Sequence, residues 1–195
     1  MKIWLASSNN HKKKELEAIL AGHEIALPAS IGIDFDPEET GTTFLENALL
    51  KARALYDLVH EPVIADDSGI CVDALEGRPG VYSARYGGDG KRKLSDQERN
   101  ELLLGEMRDV RDRKARFVCA MALIYSPDRF ILVQETMEGE LTRESKGAGG
   151  FGYDPILYIP DLGKTVAELT DEEKNRESHR AKAGMALSRL LSNNA

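Results

Sequence analysis

This 195-residue chain lacks the features that mark a membrane protein, a disulfide-built domain or a nucleic-acid binder. Its longest apolar run, Phe117–Tyr125, falls well short of the roughly 20 residues a spanning helix needs. The opening Lys2-Ile3-Trp4-Leu5-Ala6 is too short for a signal-peptide core, so the expected location is the cytoplasm. Only two cysteines occur, Cys71 and Cys119, far apart and in apolar surroundings. They read as small buried hydrophobes in a reducing compartment, not as a disulfide framework. An excess of basic residues is missing as well. A formal net charge of −7 argues against nucleic acid as a bulk partner, because phosphate-backbone binding needs a broad basic face. A local pocket for one small anion is still allowed. Lys12-Lys13-Lys14 and Arg176/Arg180/Lys182 are either its seat or solvated helix faces.

Familiar catalytic signatures are also absent. Gly147-Ala148-Gly149-Gly150-Phe151-Gly152 matches G-x-G-x-x-G literally, but a strand-like run follows it where a dinucleotide loop needs a helix. Its four glycines still permit close backbone approach to a ligand. Gly163-Lys164-Thr165 imitates the end of a P-loop, yet Tyr158 stands where that loop needs glycine. Asp66-Asp67-Ser68 lacks the spacing of a D-x-D-x-T phosphatase. No Ser-His-Asp or Cys-His arrangement stands out among the four histidines, and no His/Cys spacing fits zinc.

Hydrophobic residues at 42% and charged residues at 30% fit an ordinary globular protein, without repeats or low-complexity linkers. Residues 2–6 read as a strand ending in Ser7-Ser8-Asn9-Asn10, from which a helix runs over 11–21. Three capping boxes, Thr43/Glu46, Ser95/Glu98 and Thr170/Glu173, predict helices through Val59, through Asp109 and into the C-terminal region. Strands are predicted at 62–66, 70–74 and near 156–159, with a hairpin of 115–125 and 129–138 across Ser126-Pro127-Asp128. Interleaved helices with an antiparallel hairpin predict a mixed-sheet α/β protein.

The most informative stretch is Ile64-Ala65-Asp66-Asp67-Ser68-Gly69, two carboxylates at the end of an apolar strand, with Gly69 read as the turn. Alternation sends them to opposite faces, so at most one serves a given site. Such crowding is expensive without a compensating cation. The stretch is either a site or an acidic turn. Further polar stations sit at element junctions, Ser7-Ser8-Asn9/Lys12, Glu38-Glu39, Phe151-Gly152-Tyr153-Asp154 and Ser178-His179-Arg180, and Lys51 on the capped helix adds another.

In sequence the chain resembles the inosine triphosphate pyrophosphatase family, the purine nucleoside triphosphate pyrophosphatases of the XTP/dITP diphosphatase type. Six blocks match in order over nearly the whole chain. They are Ser7–Lys12, Glu38-Glu39-Thr40-Gly41 with Phe44–Ala52, Ala65–Gly69, Pro79–Tyr86, Thr142–Pro155 and Ala167–Arg180. Asn10-His11 and Cys71 depart from the usual pattern without removing a functional group. The resemblance implies a single domain over 1–195, with a mixed, elongated sheet flanked by helices and two lobes around a central active-site cleft. It also implies Mg²⁺-dependent cleavage of the α–β phosphoanhydride of ITP, dITP or XTP, and a homodimer. Glu38 and Asp67 are then the metal-proximal carboxylates, and Asp67 is the general base. Asp66 bonds backbone N–H groups. Lys12 and Lys51 hold phosphate oxygens, aided by Ser7, Ser8, Asn9 and Ser68. Phe151 stacks on the base within the Gly152-Tyr153-Asp154 loop, and Lys174, His179 and Arg180 donate to its edge. A pyrophosphatase for another modified nucleotide and a non-catalytic nucleotide sensor are the alternatives.

Overall fold

The computed structural model describes residues 1–88 and 92–192. In chain order its elements are β1 (Lys2–Leu5), α1 (Asn10–Ile19), β2 (Glu24–Ala26), α2 (Phe44–Val59) and β3 (Val63–Val72). Then come α3 (Asp96–Glu106), β4 (Lys114–Ser126), β5 (Arg129–Leu141), β6 (Leu157–Ile159), β7 (Lys164–Thr165), α4 (Asp171–Glu177) and α5 (His179–Ser192). The strands form one seven-stranded sheet in the order β2-β1-β3-β4-β5-β6-β7. β1 pairs parallel with β2 and β3, whereas β6 pairs antiparallel with β5 and β7. This is the mixed α/β sheet that the alternation of helices with a hairpin predicts.

The chain gathers into two compact units. The first holds residues 1–68, 119–135 and 175–195, the second residues 69–118 and 136–174. In the first, Ile3, Leu5, Leu16, Ile25, Ile64, Met121, Leu123 and Leu187 make the core. Leu16 and Leu20 from α1 and Ala183, Leu187 and Leu191 from α5 supply it because they recur every three to four residues. In the second, Ile70, Val72, Leu103, Met107, Phe117, Leu157 and Tyr153 close a separate core.

All three predicted capping boxes form. Glu46 N–H donates to Thr43 Oγ1 at 3.1 Å, Glu98 N–H to Ser95 Oγ at 3.2 Å and Glu173 N–H to Thr170 Oγ1 at 3.1 Å. A fourth, Thr165 with Glu168, opens a short 3₁₀ turn that the sequence reading did not mark.

One expectation is overturned. The predicted strands 62–66 and 70–74 are a single strand, β3, and Gly69 lies inside it instead of turning the chain. A Cβ at Gly69 would lie 2.3 Å from Ser83 Oγ and 2.6 Å from the Gly80 carbonyl. The glycine thus admits a neighbouring loop, the other common reason for glycine within a strand. Ser83 Oγ accepts the Ile70 N–H at 2.9 Å there.

Candidate active site

Parallel pairing puts the carboxyl end of β1 beside the amino-terminal part of β3, with Leu5 opposite Ile64 and the Ala6 N–H bonded to the Ile64 carbonyl at 2.8 Å. The Ser7–Asn9 turn, at the carboxyl end of β1, therefore emerges beside Asp66 and Asp67 in the middle of β3, and the carboxyl end of such a strand is where ligand sites form. Asn9 Oδ1 caps α1 by accepting from His11 N–H at 2.8 Å and Lys12 N–H at 3.3 Å, and Ser7 Oγ accepts the Asn9 N–H at 3.1 Å. Both side chains expected to hold phosphate thus also shape the turn. Ser8 is exposed.

The two aspartates part as strand alternation requires. Asp66, 1% exposed, meets α1 and α5. Lys12 pairs with its Oδ1, and Arg180 Nε donates to Oδ2 at 2.7 Å. Cys119 Sγ–H donates to Oδ2 at 3.1 Å, and Ser68 Oγ–H to Oδ1 at 3.1 Å. Burial alone would raise the Asp66 pKa, but Arg180 and Lys12 hold it well below the ordinary value. Its expected backbone-bonding role gives way to an ionic one, because two cations from flanking helices converge on it.

Asp67 meets α2. Lys51 Nζ lies 2.7 Å from Asp67 Oδ1 and 2.8 Å from Glu39 Oε1. Asp67 Oδ2 is buried without a hydrogen-bond partner among the described residues. Burial, with the Glu39 charge beside it, raises the Asp67 pKa despite the lowering by Lys51. Lys51 loses proton affinity to burial but gains more from Asp67 and Glu39, so it stays charged. Adjacent carboxylates thus have proton affinities driven apart, the pattern that separates a fixed anion from a titrating base.

Glu39, not Glu38, joins this cluster. Over 33–40 burial alternates along an irregular segment, with Phe35, Pro37 and Glu39 half-buried and Asp36, Glu38 and Thr40 exposed. Counting in twos from Phe35 is the signal that selects Glu39. Two carboxylates on one ammonium, one with an unbonded buried oxygen, are hard oxygen donors that fit a Mg²⁺ ion. Among the described residues no group of three or more His, Cys, Asp or Glu makes a cage by itself. Mg²⁺ sites commonly complete their shell with waters and substrate phosphates.

Arg180 is 2% exposed, and its donors are engaged. Besides Asp66, NH1 donates to Glu15 Oε2 at 2.6 Å and NH2 to Ser68 Oγ at 2.9 Å. The guanidinium expected at a base edge is here the clasp between α1, β3 and α5. Glu15, three residues after Lys12 and so on the same helical face, escaped the sequence reading. His179 is buried beside Arg180 at the start of α5.

In the second unit, Phe151, Asp154 and Lys174 form their own cluster. Lys174 Nζ is 2.9 Å from Asp154 Oδ2 and 4.8 Å from the Phe151 ring centroid, and the Phe151 N–H donates to Asp154 Oδ2 at 3.0 Å. Gly152 is tied at both ends, its N–H to Asp96 at 2.6 Å and its carbonyl to Asn100 at 3.0 Å. Tyr153, expected at the substrate, is 4% exposed within the core and donates to the Ser83 carbonyl at 2.9 Å.

These features define a mixed-sheet α/β protein with a lysine-held carboxylate within a central strand, an arrangement able to handle an anion and a proton together. A family model described as Ham1 family matches residues 3–190, and the chain belongs to that family. It is 52% identical over 191 residues to the dITP/XTP pyrophosphatase of Treponema denticola, covering 98% of both chains. The Staphylococcus aureus Ham1 structure superposes with a TM-score of 0.90 at 40% identity, covering 100% of both chains. A Coxiella burnetii HAM1 structure gives 0.90 at 39% identity over 99% of both.

Proposed function

We propose that this chain hydrolyses the triphosphates of deaminated purine nucleosides (ITP, dITP and XTP) at the α–β phosphoanhydride, releasing the nucleoside monophosphate and pyrophosphate. The observation that carries the reading is Asp67. It is buried, held by Lys51 at 2.7 Å, raised in proton affinity and left with one unbonded oxygen. A relative of the same length and 52% identity named dITP/XTP pyrophosphatase supports it.

In this reading Asp67 takes the proton of the attacking water, which its raised proton affinity favours. Lys51 holds Asp67 in place and meets phosphate oxygens. A Mg²⁺ ion, when bound, supplies charge neutralisation to the triphosphate, and Asp67 and Glu39 are the residues that would hold it. Lys12, with the Ser7–Asn9 turn, receives the phosphates, which the positive end of the α1 dipole favours there. Arg180 acts through Asp66 and Lys12 as a positioning residue, and base-edge donation falls to His179 and Lys174. Phe151 offers a ring face for stacking, which tolerates any base. Selection then lies in the edge. Donors suit the six-position oxygen of hypoxanthine and xanthine and are left facing the adenine amine, at about 1–3 kcal/mol for each unpaired group. A cytoplasmic location and a homodimer complete the proposal.

Pyrophosphate release from ITP, XTP, GTP and ATP at equal concentration, with Mg²⁺ and with a chelator, tests it. Fast, Mg²⁺-dependent release from ITP and XTP with GTP and ATP far slower is expected. Equal rates on all four would overturn the edge argument, and bound ITP without release would leave a nucleotide sensor.

A further inference from the structure

Within the second unit, a cavity of about 370 Å³ is lined by Glu101, Leu104, Gly105, Arg108, Arg113 and Arg143. Arg143 belongs to the Thr142-Arg143-Glu144 block, which the catalytic reading leaves without a role. None of the three arginines has an acidic partner among the described residues, although Arg116 in the same unit bridges Asp73 and Glu138. Arg113 is fixed by carbonyls. Its Nε donates to Leu141 at 2.7 Å, NH1 to Met107 at 2.7 Å and NH2 to Thr142 at 2.5 Å. Two outer N–H groups remain, since a guanidinium carries five. Arg143 NH1 donates to the Arg108 carbonyl at 3.4 Å, which ties the 142–143 corner to the end of α3. Glu101, the one acid in the lining, accepts from the Gln97 amide at 2.8 Å. Burial and the Arg143 charge both press down on the Arg113 pKa, so the cations feel one another. Such a cluster, without acidic partners among the described residues, offers charge-assisted donors to an anion from solution.

We propose that Arg108, Arg113 and Arg143 form a second anion site, separate from the Asp67 cluster, that binds a phosphate-class oxyanion, either inorganic phosphate or inorganic pyrophosphate. The lining holds one apolar side chain, Leu104, and no aromatic face for a base, which favours the bare oxyanion over a nucleotide. The inference stands independently of the catalytic reading.

The test is a titration of the ¹⁵N-labelled protein, reading the arginine Nε–Hε signals, with phosphate in one arm, pyrophosphate in another and sodium chloride at matched ionic strength in a third. Saturable shifts of Arg113 and Arg143 are expected in at least one oxyanion arm, and the arm that saturates at lower concentration identifies the source. Arg108→Ala with Arg143→Ala should weaken binding at least tenfold while leaving kcat/KM for ITP unchanged. If that double variant fails to fold, Arg108→Gln alone, at an exposed position without an ion pair, should weaken it about threefold. Shifts equal to those in sodium chloride, no saturation in either oxyanion arm, or a folded variant that binds unchanged would overturn the site.

Discussion

Asp66 and Asp67 are chemical twins with opposite environments, and strand alternation alone separates them. Asp66 faces two cations and stays ionised, whereas Asp67 faces one lysine already shared with Glu39. Because Lys51 lowers the Asp67 pKa, Lys51→Ala should raise it further. The acid limb of kcat/KM against pH should then move to higher pH than in the wild type, besides any loss in rate. A limb that stays or moves down would show that another group is the base. The opposed faces were legible in the sequence, and so was the choice of Asp67 as the residue to examine. Glu39 and the arginine clasp were not. Glu39 needed the in–out phase of an irregular segment, and the Arg180–Glu15 pair joins residues whose proximity only the packing of α5 on α1 creates.

Among the elements, β3 and α5 carry the account. Arg180 anchors α5 to β3, and Arg180→Ala would leave Asp66 buried with half its compensation. A loss of about 3–5 kcal/mol is expected in urea unfolding, as for other buried pairs broken on one side. The same pair predicts a pH dependence. Asp66 has a folded pKa below its unfolded one, so its contribution is complete above the ordinary value near 3.9 and is lost as pH falls toward the folded value. The stability gap between wild type and Asp66→Asn should therefore be flat above about pH 5 and narrow below pH 4. A gap that widens on acidification would contradict the clasp. Gly69→Ala is a third case. Its Cβ would meet Ser83 and Gly80 at 2.3 and 2.6 Å, so a cost of at least about 1–3 kcal/mol is expected in thermal or urea unfolding. The helices were readable because capping boxes and periodicity are local. Gly69 was misread because a glycine that admits a neighbour looks, in sequence, like one that turns the chain. The short strands β2 and β7 gave no signal, since two or three residues carry no period.

At the scale of the molecule, the acidic chain places its cations where anions or carboxylates call for them. Lys12, Lys51 and Arg180 serve the paired β3 carboxylates of the first unit, and Arg108, Arg113 and Arg143 line a cavity of the second. The mixed α/β class followed from interleaved helices and a hairpin, whereas two lobes were implied only by the family resemblance, because three separate stretches of chain make the first unit. The claim on which the whole account turns is that Asp67 is the base of a pyrophosphatase. The most direct test is the rate of pyrophosphate release from ITP by wild type and Asp67→Asn in Mg²⁺, with ITP binding to each measured in parallel. A loss of about 10²–10⁴-fold in turnover with binding largely kept is expected, and turnover near wild type in the Asn variant would contradict a base role for Asp67.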